Sequence, residues 1–123
     1  IMSQSAILIL LPQTTYDNNG TAEPYDVTGN SVQAAAYHLG NADLQTVTYN
    51  FTDVTGNLVI EGTLASTPVA SDWFKIHEIV ANNQSNVNSN INTYTNLTGN
   101  FTYMRAVLKD FQHGTVQYVK VSY

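Results

Sequence analysis

The sequence contains no cysteine and unusually few charged residues. The absence of cysteine excludes disulfides, thiol nucleophiles and thiolate metal sites, and it is consistent with synthesis in a reducing cytoplasm. Only 11% of the 123 residues are charged, against roughly 25% in an ordinary soluble domain. The four basic and nine acidic residues give a net charge of −5, which is the wrong sign for neutralising phosphates. We therefore expect no direct contact with nucleic acid.

Long hydrophobic runs are also missing. The apolar segment at residues 6–11, AILILL, ends at Pro12 and is far shorter than the roughly 20 residues needed to span a bilayer. It lacks the basic region and the small-residue cleavage site of a signal peptide. With Met2 as the initiator, we expect an essentially complete, unexported protein without a membrane partner. The segment itself is either a strand of the domain or a strand that pairs with a neighbouring subunit.

The polar residues are mainly amides and hydroxyls. The chain has 14 asparagines, 15 threonines and 8 tyrosines. Threonine and tyrosine favour strands, whereas asparagine favours turns, so the composition indicates a β-protein with elaborate loops. A neutral surface suits packing against other subunits, because few charges must be desolvated. The alternative is a compositional bias unrelated to interfaces.

Apolar and polar residues alternate with a period of two along much of the chain. In residues 46–51, Val47, Tyr49 and Phe51 alternate with polar neighbours, as in a strand with one buried face. Later segments continue the pattern. The further inward positions that it predicts are Leu58, Ile60, Leu64, Phe74, Ile76, Val80, Met104, Ala106 and Leu108.

Turn signals divide these segments. Thr-Gly-Asn occurs at residues 28–30, 55–57 and 98–100, and Gln-His-Gly occurs at 112–114, and each predicts a chain reversal. Residues 12–30 are predicted to form a long surface loop or a loosely held edge, and residues 31–39 a strand of small residues. The whole chain, residues 1–123, is predicted to be a single all-β domain, a sandwich or jelly roll of about seven or eight antiparallel strands.

The sequence offers no catalytic, cofactor-binding or metal-binding pattern. His38, His77 and His113 lack the short spacing typical of metal ligands. There is no nucleophile elbow and no glycine-rich phosphate loop. The main carboxylates lie in predicted turns or at outward strand positions, namely Asp53, Glu61, Asp72 and Glu78. We expect a protein that is not an enzyme and holds no cofactor or metal.

Aromatic residues are the best candidates for contact with a carbohydrate or a protein partner. An exposed aromatic ring can stack on a sugar. The candidates are Trp73, Tyr16 and Tyr25. The alternative for Trp73 is a place in the core or at the rim of the sandwich. Arg105 is predicted to pair with Asp72, Glu61 or backbone carbonyls, with anion recognition as the alternative.

Residues 45–123 carry an ordered series of motifs. They are LVIEGTL, DWFKI, a variable loop, GNFTYMRAVL and GTVQYV. This order resembles accessory virion proteins of tailed bacteriophages, particularly those of marine and cyanobacterial phages. The resemblance implies a non-enzymatic head-decoration or cement protein, or a neck–tail accessory module, located in the virion.

Such a protein would bind the major capsid protein or other virion subunits, as a homo-oligomer or on the viral lattice. The apolar segment at residues 6–11, or the adjoining loop to residue 30, would then make an assembly contact. Because carbohydrate-binding modules share these motifs, the alternative is a lectin-like module, in a receptor-binding fibre.

Overall fold

The computed structural model describes residues 7–16, 25–35, 44–81 and 90–123, which are built mainly of antiparallel β-strands. These strands confirm the all-β prediction. A short 3₁₀ turn (Ala70–Asp72) precedes the sixth strand. The strands are β1 (Ile7–Leu11), β2 (Thr14–Thr15), β3 (Tyr25–Thr28), β4 (Val32–Gln33), β5 (Leu44–Thr63), β6 (Phe74–Ala81), β7 (Asn90–Thr98) and β8 (Tyr103–Ser122).

Strands β5 and β8, of 20 residues each, form the spine of the fold. They pair from Thr46 opposite Ser122 to Thr63 opposite Tyr103. The first half of β5 and the second half of β8 are flanked by β7, β1 and β2, and we call this group the first half-sheet. The other halves of β5 and β8 are flanked by β6, β3 and β4, and form the second half-sheet.

Both spine strands bend where the two half-sheets meet. The pairing of β5 with β8 shifts register between Asn50 and Asn57, and φ is positive at Asp53, Asp110 and Gly114. A side chain at Gly114 would place its Cβ 2.3 Å from the Asp53 carbonyl oxygen, so only glycine fits. Bulges of this kind let a strand pass from one layer of a sandwich to another while its pairing continues.

Three predicted chain reversals are therefore wrong. At residues 28–30 the chain does not reverse, because β3 and β4 run in the same direction as each other along β8. Residues 55–57 lie inside β5 and residues 112–114 lie inside β8, so neither site closes a hairpin. At residues 55–57 and 112–114 the chain continues along the facing strand without reversing, because β5 and β8 bend together. The glycine and asparagine signals mark the bend and not a turn.

The core gathers apolar side chains from both half-sheets into one cluster. Its members include eight of the predicted inward residues, namely Val47, Tyr49, Phe51, Leu58, Ile60, Met104, Ala106 and Leu108. Ile76 is half-buried against the same cluster. The prediction is wrong for Leu64, Phe74 and Val80, which are exposed. Phe74 lies at the rim of the core, with its ring centroid 6.0 Å from that of Phe101.

Strand β1 is an integral part of the sandwich. Leu10 and Leu11 are buried in the core, and β1 pairs with the end of β8. The Gly29 amide donates to the Ala106 carbonyl at 2.8 Å, and the Asn30 amide donates to the Leu10 carbonyl at 2.7 Å. This connection joins the two half-sheets. The alternative in which residues 7–11 form a strand of the domain itself is thus confirmed.

The predicted loop at residues 12–30 includes two short edge strands, β2 and β3, which both pair with β8. Residues 17–24 of that loop lie outside the described residues. Of the strand predicted at residues 31–39, the described part contributes only β4, with Ala34 and Ala35 buried beside it. Residues 36–39 also lie outside the described residues.

Candidate functional site

The side of the first half-sheet that faces away from the core carries mostly polar side chains. Strand pairing and alternation place Thr46, Thr48 and Asn50 of β5 there. We call these three residues, together with the eight described residues aligned with them in β1, β7 and β8, the outer face. Lys120 is the one charged residue among them. The outer face consists of Ile7, Ile9, Thr46, Thr48, Asn50, Asn92, Tyr94, Asn96, Tyr118, Lys120 and Ser122.

A shallow groove of about 400 Å³ runs across the outer face. Thr48 lies at its centre, between Lys120 of β8 and Tyr94 of β7 in the strand pairing. The Tyr94 side chain is 62% exposed. The groove is lined by Ile7, Thr48, Asn92, Thr93, Tyr94, Tyr118, Lys120 and Ser122. It therefore presents two tyrosines, one ammonium group, one amide and three aliphatic hydroxyls.

Side-chain contacts hold part of this lining in place. The Tyr118 hydroxyl donates to Asn92 Oδ1 at 3.1 Å, and the Lys120 Nζ lies 4.4 Å from the centroid of the Tyr118 ring. Asn50 lies between Tyr118 and Asn92 in the strand pairing, so the Tyr118–Asn92 bond passes over it. Among the described residues, Asn50 Oδ1 is buried and has no hydrogen-bond donor. A bound molecule that displaced Tyr118 could donate to this oxygen.

The chemistry of the outer face is that of binding. Its eleven residues include no carboxylate and no histidine, so they provide no pair of groups for general acid and base catalysis. They can donate and accept hydrogen bonds and stack on a ring. Tyr49 lies on the inward side of β5, where burial raises the pKa of its hydroxyl above its ordinary value.

The aromatic residues singled out from the sequence lie elsewhere. The Trp73 ring is half-buried and stacks with the Arg105 guanidinium, whose Cζ lies 4.4 Å from the ring centroid. Tyr16 packs edge-on against Phe111, with ring centroids 5.6 Å apart. The backbone of Tyr25 pairs with that of Phe111, but its side chain is outside the described part of the chain. The proposed contacts of these three residues with a partner stay predictions.

Arg105 has the structural partner that the sequence predicted. Its Nε donates to Glu61 Oε1 at 2.7 Å, and the two residues face each other across β5 and β8. The alternative partner Asp72 instead accepts the Val69 amide at 2.8 Å. The ion pair and the Trp73 stack together fix the guanidinium on the second half-sheet.

We expect the Arg105–Glu61 pair to contribute about 1 kcal/mol to stability, because both side chains are largely shielded from solvent. The test is a double-mutant cycle of Arg105→Met and Glu61→Gln, read from urea unfolding. The matched control is the exposed Lys75–Glu78 pair, for which we expect a coupling of only about 0.3 kcal/mol. Equal coupling in the two cycles would contradict the prediction.

The histidines do not form a metal site within the described residues. His77 is half-buried in β6, and His113 is exposed at the bend, with Nδ1 2.7 Å from the Asp53 carbonyl oxygen. His38 lies outside the described residues. Across residues 7–16, 25–35, 44–81 and 90–123, no three histidine or acidic side chains cluster closely enough to hold a metal ion. The same residues include no helix with the length and apolar character needed to cross a membrane.

Reasoning from the sequence missed the groove residues. The available signal was the row Asn92, Tyr94 and Asn96, which alternates with the other residues of β7. A matching row, Tyr118 and Lys120, lies in β8. The two rows lie on either side of β5 and on the same face of the sheet. This arrangement follows only from the pairing of strands that are distant in the sequence.

Comparison with known proteins gave no matching family model and no similar curated protein. The function must therefore be inferred from the fold and from the groups that it exposes. The outer face holds the groove and carries one charged residue, and it differs from the second half-sheet, which carries the ion pairs of the described residues.

Proposed function

We propose that this protein is a non-enzymatic structural component of a tailed-phage particle that binds other virion subunits through its outer face. It would act as a head-decoration or cement protein, or as a neck–tail accessory module. The observation that carries the proposal is the composition of the outer face, where ten of eleven residues are uncharged. Its partners would be the major capsid protein or neighbouring virion proteins, with further copies on the lattice.

A neutral face of this kind favours permanent contact with another protein. Burying amides and hydroxyls against matching groups costs less than burying charges. Burial of exposed apolar side chains supplies the favourable free energy of binding. Ile7, Ile9 and Tyr94 provide such side chains on this face. Aromatic anchors surrounded by polar groups are typical of the centre of a protein interface. Lys120 adds one charge that can orient the partner.

The sequence motifs add a second line of support. LVIEGTL lies largely in β5, FTYMRAVL and GTVQYV lie largely in β8, and DWFKI leads into β6. Most of the resemblance to phage accessory proteins therefore lies in the spine. Fold resemblance alone is a weak basis for function, and the proposal therefore rests first on the outer face.

Co-sedimentation tests the proposal. The protein is co-expressed with the major capsid protein of the genome that encodes it, and the assembled shells are separated on a density gradient. We expect the wild-type protein to move with the shells. Thr48→Arg, at the centre of the groove, and Lys120→Glu should each weaken binding at least about tenfold, which corresponds to roughly 1.4 kcal/mol.

The control is Lys109→Glu, which makes the same charge change at an exposed position of β8 on the second half-sheet. It should bind as the wild type does. Urea midpoints check that all variants are folded. The proposal fails if the wild-type protein stays at the top of the gradient beside intact shells, or if Thr48→Arg still moves with them.

The groove favours one second candidate, a carbohydrate-binding module. The exposed Tyr94 ring can stack on a sugar, while Thr48 and Asn92 can bond its hydroxyls. A screen against neutral oligosaccharides tests this reading. Binding that is lost in Tyr94→Ala and kept in Tyr94→Phe, together with no binding to shells, would favour the module over the structural protein.

A further inference from the structure

Strand β7 is a long and regular edge of the first half-sheet. It comprises Asn90–Thr98 and pairs with β5 at all nine positions, from Leu44 opposite Thr98 to Thr52 opposite Asn90, without a register shift. Among the described residues, none pairs with β7 on its other side. Its exposed residues include Asn92, Thr93 and Tyr94. The backbone groups along that side can therefore pair with another strand.

The devices that usually protect an edge are absent from β7. Its sequence, NINTYTNLT, contains no charge, no proline and no glycine, and such residues or a bulge normally prevent unwanted strand addition. The other edge strands differ. In β1, the Leu10 carbonyl already accepts the Asn30 amide. In β6, the pairing is interrupted by a bulge, and Lys75 and Glu78 carry charge.

We propose that a second copy of this chain adds to the edge of β7 in antiparallel orientation, with a two-fold axis at Tyr94. Tyr94 is the central residue of the nine, so it would face Tyr94 of the second copy. Thr93 would face Thr95, and Asn92 would face Asn96. Aromatic pairs, threonine pairs and amide pairs are each favourable directly across an antiparallel ladder. The edge is thus complementary to itself, as a two-fold interface requires.

The pairing joins two first half-sheets into one continuous sheet. Residues that face each other in an antiparallel ladder point to the same side, so the two outer faces would lie side by side with Tyr94 at their boundary. The dimer would then present two grooves in one direction, which raises the avidity for any repeated partner. The inference rests on β7 alone and holds whether or not the protein belongs to a virus particle.

Sedimentation velocity of the purified chain, without any shell protein, tests the dimer. We expect a mass of twice 13.5 kDa that dissociates on dilution. Tyr94→Lys places two like charges on the two-fold axis and should raise the dissociation constant at least tenfold, whereas Tyr94→Phe should leave it unchanged. The matched control is Val80→Lys, at an exposed position of the β6 edge, which should dimerise as the wild type does.

A cross-link fixes the register. The chain has no cysteine, so Tyr94→Cys introduces a single thiol that faces its own copy, and mild oxidation should give a covalent dimer. Val80→Cys should stay a monomer on a denaturing gel. A wild-type mass of 13.5 kDa at all concentrations, an unchanged dissociation constant in Tyr94→Lys, or equal cross-linking of the two cysteine variants would overturn the inference.

Discussion

Deletion of residues 1–12 is expected to unfold the protein. The deletion removes β1, which pairs with β8 from Ile7 opposite Ser122 to Leu11 opposite Val119. Burial of each leucine contributes roughly 1.5–3 kcal/mol, and truncating a buried leucine costs about 2–5 kcal/mol. Losing Leu10 and Leu11 together with the pairing of β1 approaches the total stability of a typical domain, about 5–15 kcal/mol. Far-UV circular dichroism and urea unfolding of the truncated protein measure the effect.

Two neighbouring substitutions separate loss of the core from loss of an assembly contact. Leu10→Ser should lower the urea midpoint strongly, because this side chain is completely buried. Ile9→Ser should change it little, because Ile9 is 48% exposed on the outer face. A truncated protein that unfolds cooperatively at the wild-type midpoint would show that β1 is dispensable for folding.

Phe111→Ala is expected to cost about 3–5 kcal/mol, the range for a buried phenylalanine. Phe111 has no exposed surface and lies in β8 within the bend, where its ring contacts Tyr16 edge-on. The backbone is equally tight at this point, because a Cβ on Gly56 would lie 3.2 Å from the Phe111 Cα. Neighbouring atoms therefore have little freedom to move into the space that the ring leaves. Urea or thermal unfolding measures the loss.

Phe74→Ala is the matched control, since the same atoms are removed from a residue that is 41% exposed. We expect a cost of about 1 kcal/mol, because much of the Phe74 ring already contacts water. Similar unfolding midpoints for the two variants would contradict the assigned places of both rings, one inside the core and one at its rim.

The inward positions in the middle of the long strands could be predicted because alternation is a local signal. Val47, Tyr49 and Phe51 face the core together, as a period of two requires. The signal fails near the ends of strands. Phe74 is apolar, but it is the first residue of β6, where the sheet no longer covers it. The signal also fails beyond a bulge. The bulge in β6 shifts the alternation, so Ile79, opposite Leu58, packs against the core and Val80 faces outward.

The bends were mistaken for turns because the local chemistry is the same. A positive φ at glycine or aspartate can either reverse a chain or bend a strand, and the partner strand decides between them. At Gly114 the partner is Asp53, which is distant in the sequence. The groove was missed for a related reason, since Tyr94, Thr48 and Lys120 meet only after three distant segments have paired.

The sharing of β5 and β8 by both half-sheets has a consequence for how the protein folds. Even the nearest residues joined by this pairing, Thr63 and Tyr103, are separated in the chain by β6, β7 and their connections. The search for such distant partners is slow, and proteins dominated by them fold over milliseconds to seconds. Once the pair has formed at one end, the rest of both strands is aligned. Refolding after dilution from urea should therefore show one slow phase, with both half-sheets gaining structure at the same rate.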